Sequence, residues 1–142
     1  MHYRCTMTCR AVLLALSALV LLAAPAGAEP RRVVSFNLCA DQLVLALADP
    51  EQIAGLSPYA ADPALSIVAD KAKPHRRLDW QSESTIALAP DLVLVGPNDR
   101  SVTRRMLAAQ GLRVVEVALV SDLDAARSQI LDLAALLGRP AR

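Results

Sequence analysis

The chain is 142 residues long with a formal net charge of +1, and is 54% hydrophobic but only 3% aromatic. That length holds one ordinary domain, and a near-neutral chain with few rings excludes a nucleic-acid reader, which needs a basic face and stacking side chains. The apolar fraction, supplied by Leu and Ala without a low-complexity run, excludes disorder.

In chain order, residues 1–10 carry Arg4 and Arg10 without an acid, and residues 11–24 are almost wholly apolar and lead into Pro25-Ala26-Gly27-Ala28. This is the pattern of a secretory signal peptide over residues 1–28, cleaved after Ala28. A bilayer span takes roughly 20 apolar residues, more than this run offers. No Cys follows the run, so no lipid anchor is expected. The exported part, residues 29–142, holds 13 basic against 14 acidic side chains, a net charge of −1. It keeps Cys39 as its single cysteine, so no internal disulfide is expected in an oxidising compartment.

Val33–Phe36 reads as the first buried strand. Asn37 caps a helix that runs from Leu38 to Ala48 and stops at Asp49-Pro50. Cys39, near the start of that helix, is either a thiol activated by the free N–H groups or a small buried hydrophobe, and the second is the expectation. Asp41 and Gln42 could serve as polar site residues, but both also suit an exposed first turn, where a carboxylate complements the helix dipole. Ile53–Leu56 is the second strand.

The connection Ser57 to Gln81 is about twice as long as the others, and long connections are commonly functional. It carries Tyr59, the cationic stretch Lys71 to Arg77 and the only Trp, Trp80. The stretch reads first as a solvated loop and second as an attractor of anions. Trp80 is as well suited to a ligand as to packing.

Ser82 caps a short helix ending at Ala89, before Pro90, and Leu92–Val95 is the third strand. Ser101 to Gln110 forms a helix closed by Gly111. Val114–Val117 is the fourth strand. Ser121 and Asp124 form a capping box for a last helix whose Leu123, Ala126, Ile130, Leu133 and Leu137 recur at steps of three and four. Strands alternating with helices specify an α/β fold: a parallel sheet of about four strands flanked by helices.

The four exported glycines have neither dinucleotide nor phosphate-loop spacing. Zinc lacks ligands, since His2 lies in the signal peptide and only His75 remains. No metal site and no resident cofactor are expected. An exported enzyme using Cys39 as a reactive thiol stays open as an alternative, without a base nearby in sequence to activate it.

The succession Arg32-Val33-Val34-Ser35-Phe36-Asn37-Leu38-Cys39-Ala40-Asp41-Gln42-Leu43, then Ile53-Ala54-Gly55-Leu56-Ser57, then Ile86-Ala87-Leu88-Ala89-Pro90-Asp91-Leu92-Val93-Leu94 resembles the N-terminal lobe of periplasmic substrate-binding proteins for cobalamin and ferric siderophores, which serve ABC importers. The resemblance spans about residues 31 to 138 and implies a Rossmann-like lobe of a two-lobe binding protein, non-enzymatic and located in the periplasm. It implies a small-molecule metal chelate as ligand (ferric siderophore, haem or cobalamin) and an ABC permease in the inner membrane as partner, through which alone the protein meets the membrane.

Carried over by position, Asn37, Leu38, Cys39, Ser57, Tyr59, Trp80, Gln81, Pro97 and Asn98 would line one wall of the ligand cleft. Asn37 and Gln81 would supply hydrogen bonds, and Tyr59 and Trp80 flat apolar faces. Asp99 would dock on the permease. Where the family continues into an interlobe helix and a second lobe, this sequence ends at Arg142 and holds one lobe, as a fragment, a truncated reading frame, half of a two-chain assembly or an inert lobe.

Overall fold

The computed structural model describes residues 29–97 and 101–142, so the expected signal peptide and its cleavage point, with Asn98 and Asp99, lie outside the described residues. The elements run β1 (Val33–Ser35), α1 (Leu38–Leu47), a 3-10 turn (Pro50–Gln52), β2 (Ile53–Gly55), α2 (Ala69–Ala72), α3 (Ser82–Ile86), β3 (Leu92–Val95), α4 (Ser101–Ala109), β4 (Val114–Glu116) and α5 (Leu123–Leu136). All four expected strands are present. They form one sheet in the order β2-β1-β3-β4, and every pair is parallel.

Three of the strands end one residue earlier than their apolar runs. Pairing nonetheless continues past two of those ends: the Phe36 N–H donates to Leu94 O at 2.9 Å, and the Val117 N–H to Val95 O at 2.7 Å.

Both faces of the sheet are covered, which is why the strands read as unbroken apolar runs rather than alternating ones. Val33, Leu92 and Leu94 face Val44 and Leu47 of α1 and Leu133 of α5. Val34, Val93 and Val95 point the other way, into a second cluster with Leu78, Leu88 and Leu107. Two of the quoted sequence motifs meet in this sheet. The Asp91 carboxylate, one residue before β3, accepts the N–H groups of Arg31 and Arg32 at 2.7 and 3.0 Å and so aligns the starts of the two central strands.

Helix starts differ from expectation at two places. In α5 the cap is Asp122, whose carboxylate accepts the Ala125 N–H at 2.7 Å; Ser121 lies one residue outside and bonds to Asp122 instead. In α3 the capping position is Gln81, and the Ser82 hydroxyl turns to Glu83 and the Met106 sulfur. At α5 a neighbouring side chain that reaches the free N–H groups displaces the serine as cap, whereas at α3 the Gln81 side chain makes no capping bond. Helix α3 also ends at Ile86, short of Ala89, whose φ of +46° is incompatible with helix. The cap by Asn37 is as expected: its side-chain oxygen accepts the N–H groups of Cys39 and Ala40 at 2.9 and 3.3 Å. Gly111 follows α4 at φ +77°, the left-handed conformation that closes a helix cheaply only with glycine.

At the pole formed by the amino ends of the strands, buried Gln52 gathers three chain segments. Its amide donates to Pro30 O at 2.7 Å and Leu137 O at 3.1 Å, and its oxygen accepts the Asp49 N–H at 2.9 Å. Arg142 then caps the end of α1, donating to Leu47 O and Ala48 O at 2.9 and 3.0 Å. Replacing Gln52 by the similarly sized Leu strands the Pro30 and Leu137 carbonyls. Urea unfolding of Gln52→Leu is expected to show a loss of about 2–4 kcal/mol; a loss under about 1 kcal/mol would mean that water reaches those carbonyls.

Candidate functional site

With the order β2-β1-β3-β4, the chain leaves the carboxyl end of β1 towards β2 and that of β3 towards β4, so the two exits part between neighbouring strands. Open α/β sheets bind ligands at such a switch point. Asn37 follows β1 there, and Gly96 and Pro97 follow β3.

The long connection reaches the same rim. It begins and ends on one residue: the Leu56 N–H donates to Arg76 O at 2.9 Å, and the Leu78 N–H donates to Leu56 O at 2.8 Å. Closing the loop on Leu56 brings Trp80 back beside Tyr59. The Trp80 ring stacks on Phe36, with centroids 6.0 Å apart and planes 26° apart, and Tyr59 leans on its other side at 5.8 Å and 55°. Tyr59 remains 50% exposed and Trp80 is half-buried, while Phe36 is buried, so Tyr59 and Trp80 offer an aromatic surface backed by a core ring.

Trp80 holds φ at +69°, a conformation rare for a bulky residue. Such strain costs about 1–3 kcal/mol, while an aromatic pair returns about 0.5–1.5 kcal/mol. The stack alone therefore does not hold the turn. Asp79 helps: its carboxylate accepts the Gln81 N–H at 3.0 Å and the Ser84 hydroxyl. The Ser84 bond, with that N–H, keeps Asp79 below the usual aspartate range.

Beneath the rim lies a group that the sequence misassigns. Asp41, expected in an exposed first turn, is fully buried. The Ser57 N–H donates to its Oδ1 at 3.1 Å and the Ser57 hydroxyl to its Oδ2. Burial pushes its pKa above the ordinary 3.8, and hydrogen bonds from Ser57 and Ser35 offset part of that rise. The correction follows from helix geometry, because Asp41 shares a face with Ala40 and Val44, which meet the sheet.

The expected lining residues thus divide. Tyr59, Trp80 and Pro97 sit on the rim with at least part of their surface open, as do Asn37 and Leu38, while Cys39 and Gln81 are exposed. Cys39 therefore does not pack as a buried hydrophobe. Ser57 is fully buried and supports the rim from below, its donors given to Asp41. Phe36 joins the trio unforeseen; it reads as strand because it continues an apolar run, and only its place at the strand's end could have marked it.

Lys71, Lys73, Arg76 and Arg77 are exposed, with Lys73 paired to Asp70 at 2.6 Å, and burial lowers the pKa of His75. Among the described residues no three His, Cys, Asp or Glu side chains are grouped to hold a metal ion. A separate open groove of about 390 Å³ lies between α5 and the loop after β4, lined by Val117, Leu119, Val120, Gln129 and Leu133. None of the expected site residues lines it.

Residues 33–142 match the family described as "Periplasmic binding protein". Among solved structures, a possible iron-binding periplasmic solute-binding protein from Staphylococcus epidermidis superposes with a TM-score of 0.66 at 20% identity, over 79% of this chain and 44% of that one. The periplasmic vitamin B12 binding protein of Vibrio cholerae gives 0.64 at 20% identity, over 79% and 43%. A periplasmic heme-binding protein from a Roseiflexus species gives 0.62 at 25% identity, over 80% and 43%. The chain spans less than half the length of these structures. No curated protein matches it in sequence.

Asp41 gives the site a pH signature. A carboxyl whose pKa is raised on folding contributes stability that is complete below the unfolded value and is lost as pH climbs through the folded one. Native protein should therefore gain stability relative to Asp41→Asn as pH falls from neutrality towards 3.8. Urea unfolding of both proteins at stepped pH measures the difference; a flat trend would mean a solvated carboxyl, and an inverted one that the hydrogen bonds from Ser57 outweigh burial.

Proposed function

The chain belongs to the periplasmic binding protein family, and we propose that it is the ligand-capturing component of an ABC import system, taking a metal chelate (a ferric siderophore, haem or cobalamin) in the periplasm and passing it to an inner-membrane permease. The observation that carries this reading is the aromatic trio at the switch point: Trp80 held between Phe36 and Tyr59. Ligand sites are mostly apolar, with a few placed polar groups to fix orientation. Here flat rings stand beside Asn37, Gln81 and the turn at Pro97, which suits a broad, rigid ligand such as a corrin, a porphyrin or a wrapped chelate.

The solved structures of similar fold are named for iron, vitamin B12 and heme binding, which agrees with that class of ligand. Within it, the exposed cations of residues 71–77, in the loop that delivers Trp80, favour a chelate with negative charge through long-range attraction. The remaining assignments belong to the same proposal: export by residues 1–28 with cleavage after Ala28, Asn98 on the ligand wall, and Asp99 facing the permease.

Titrating Trp80 fluorescence with hemin, cyanocobalamin and a ferric siderophore tests the reading. One of the three should quench it saturably. Tyr59→Ala should weaken that ligand about tenfold, equivalent to about 1.4 kcal/mol. For an anionic chelate, affinity should also fall as salt is raised. If none of the three perturbs the signal, the rim is not the ligand wall.

A further inference from the structure

We infer that Asp41 is the positioning residue of the aromatic rim: its buried carboxylate fixes Ser57 and thereby sets where Tyr59 and Trp80 stand. Among the described residues it is the one ionisable side chain that is fully buried, with 0% exposure. Its two oxygens take both donors of Ser57, the N–H at 3.1 Å and the hydroxyl, while the Ser35 hydroxyl, beside the same group, donates to Asn37 O at 3.1 Å. Ser35 immediately precedes Phe36, and Ser57 stands two residues before Tyr59. One carboxylate thus holds the segment that carries Tyr59, which packs against Trp80, and lies beside the strand end that carries Phe36.

Stability alone would not place a carboxylate there. Position 41 lies on the face of α1 that carries Ala40 and Val44 into the core, and an apolar side chain in such a place is often as stable as a buried charge or more so. A carboxylate adds direction. Two acceptor oxygens in a fixed plane define the backbone orientation and the rotamer of Ser57 together. Without them the buried Ser57 N–H has to find another acceptor, and the segment leading to Tyr59 moves with it. The stack on Trp80 is too weak to resist that movement, because it already works against a left-handed backbone. As a role in ligand capture this rests on the reading of the preceding subsection, but the position of Trp80 is read without any ligand, so the two ideas fail separately.

Trp80 is the only tryptophan in the sequence, so its emission and its quenching by acrylamide report this site alone. The comparison uses the native chain, Asp41→Asn, Ser57→Ala and the double variant. Asp41→Asn should move the emission to longer wavelength and raise the quenching constant, with far-UV circular dichroism and cooperative unfolding retained. Ser57→Ala, which keeps its N–H contact, should show a smaller change in the same direction. The double variant should change no more than Asp41→Asn, since both substitutions act through one contact. Native emission and quenching in the folded single variants would overturn the proposal, and so would additive changes in the double variant. Should Asp41→Asn fail to fold, Ser57→Ala decides: a shift of Trp80 supports the role, and an unmoved Trp80 overturns it.

Discussion

Parallel strands can be joined only by connections that carry the chain back to the end where it started, and this constraint organises the whole molecule. Every strand here exits at the same rim, and each connection between strands returns to the opposite pole. Strand β1 sits between β2 and β3 and is buried on both faces, so Val33 and Val34 serve two different cores from adjacent positions. The helices are thereby fixed in place, and the turns at the carboxyl ends become a region where polar and aromatic side chains can gather without disturbing a packed layer.

The costs borne by the chain fall in that region. Elsewhere, apart from Ala89 at φ +46°, the choices are locally consistent: Val and Leu in the strands, Asn37 and Asp122 as caps, Gly111 at a helix end. At the rim a tryptophan takes a backbone conformation suited to glycine, and a carboxylate is withdrawn from water. Sequences that otherwise agree at every level tend to break their own rules where function is placed. These two exceptions lie in one cluster, linked through Ser57 and Tyr59.

Much of the fold is legible in the sequence because its signals are local. β-branched runs and the residues that stop helices are read without knowing what packs where, whereas the strand order β2-β1-β3-β4 is set by long-range pairing that no local signal carries. The misreadings have a common cause. Asp41 looks like an N-terminal helix carboxylate because its partner lies 16 positions away in Ser57, and no local pattern announces that pair. Ser121 and Ser82 fit capping templates, but adjacent Asp122 takes the role of Ser121, and the Ser82 hydroxyl bonds to Glu83 and Met106 instead. Cys39 was weighed by the average behaviour of its residue type, whereas its place on the outward side of the first helical turn leaves it exposed. At the site, Trp80 and Tyr59 were visible as isolated aromatic residues in a long connection. That Phe36 completes the set could be known only after the loop had closed on Leu56.

The pole opposite the rim has a practical meaning. Gln52 and Asp49 tie Pro30, Leu137, Arg139 and Arg142 together at the amino ends of the strands, so both described extremities of the chain emerge there. A tether attached near Glu29 or Arg142, to a bead, a sensor chip or a fused reporter, would immobilise the molecule from behind and leave the rings of Tyr59 and Trp80 turned towards the solution.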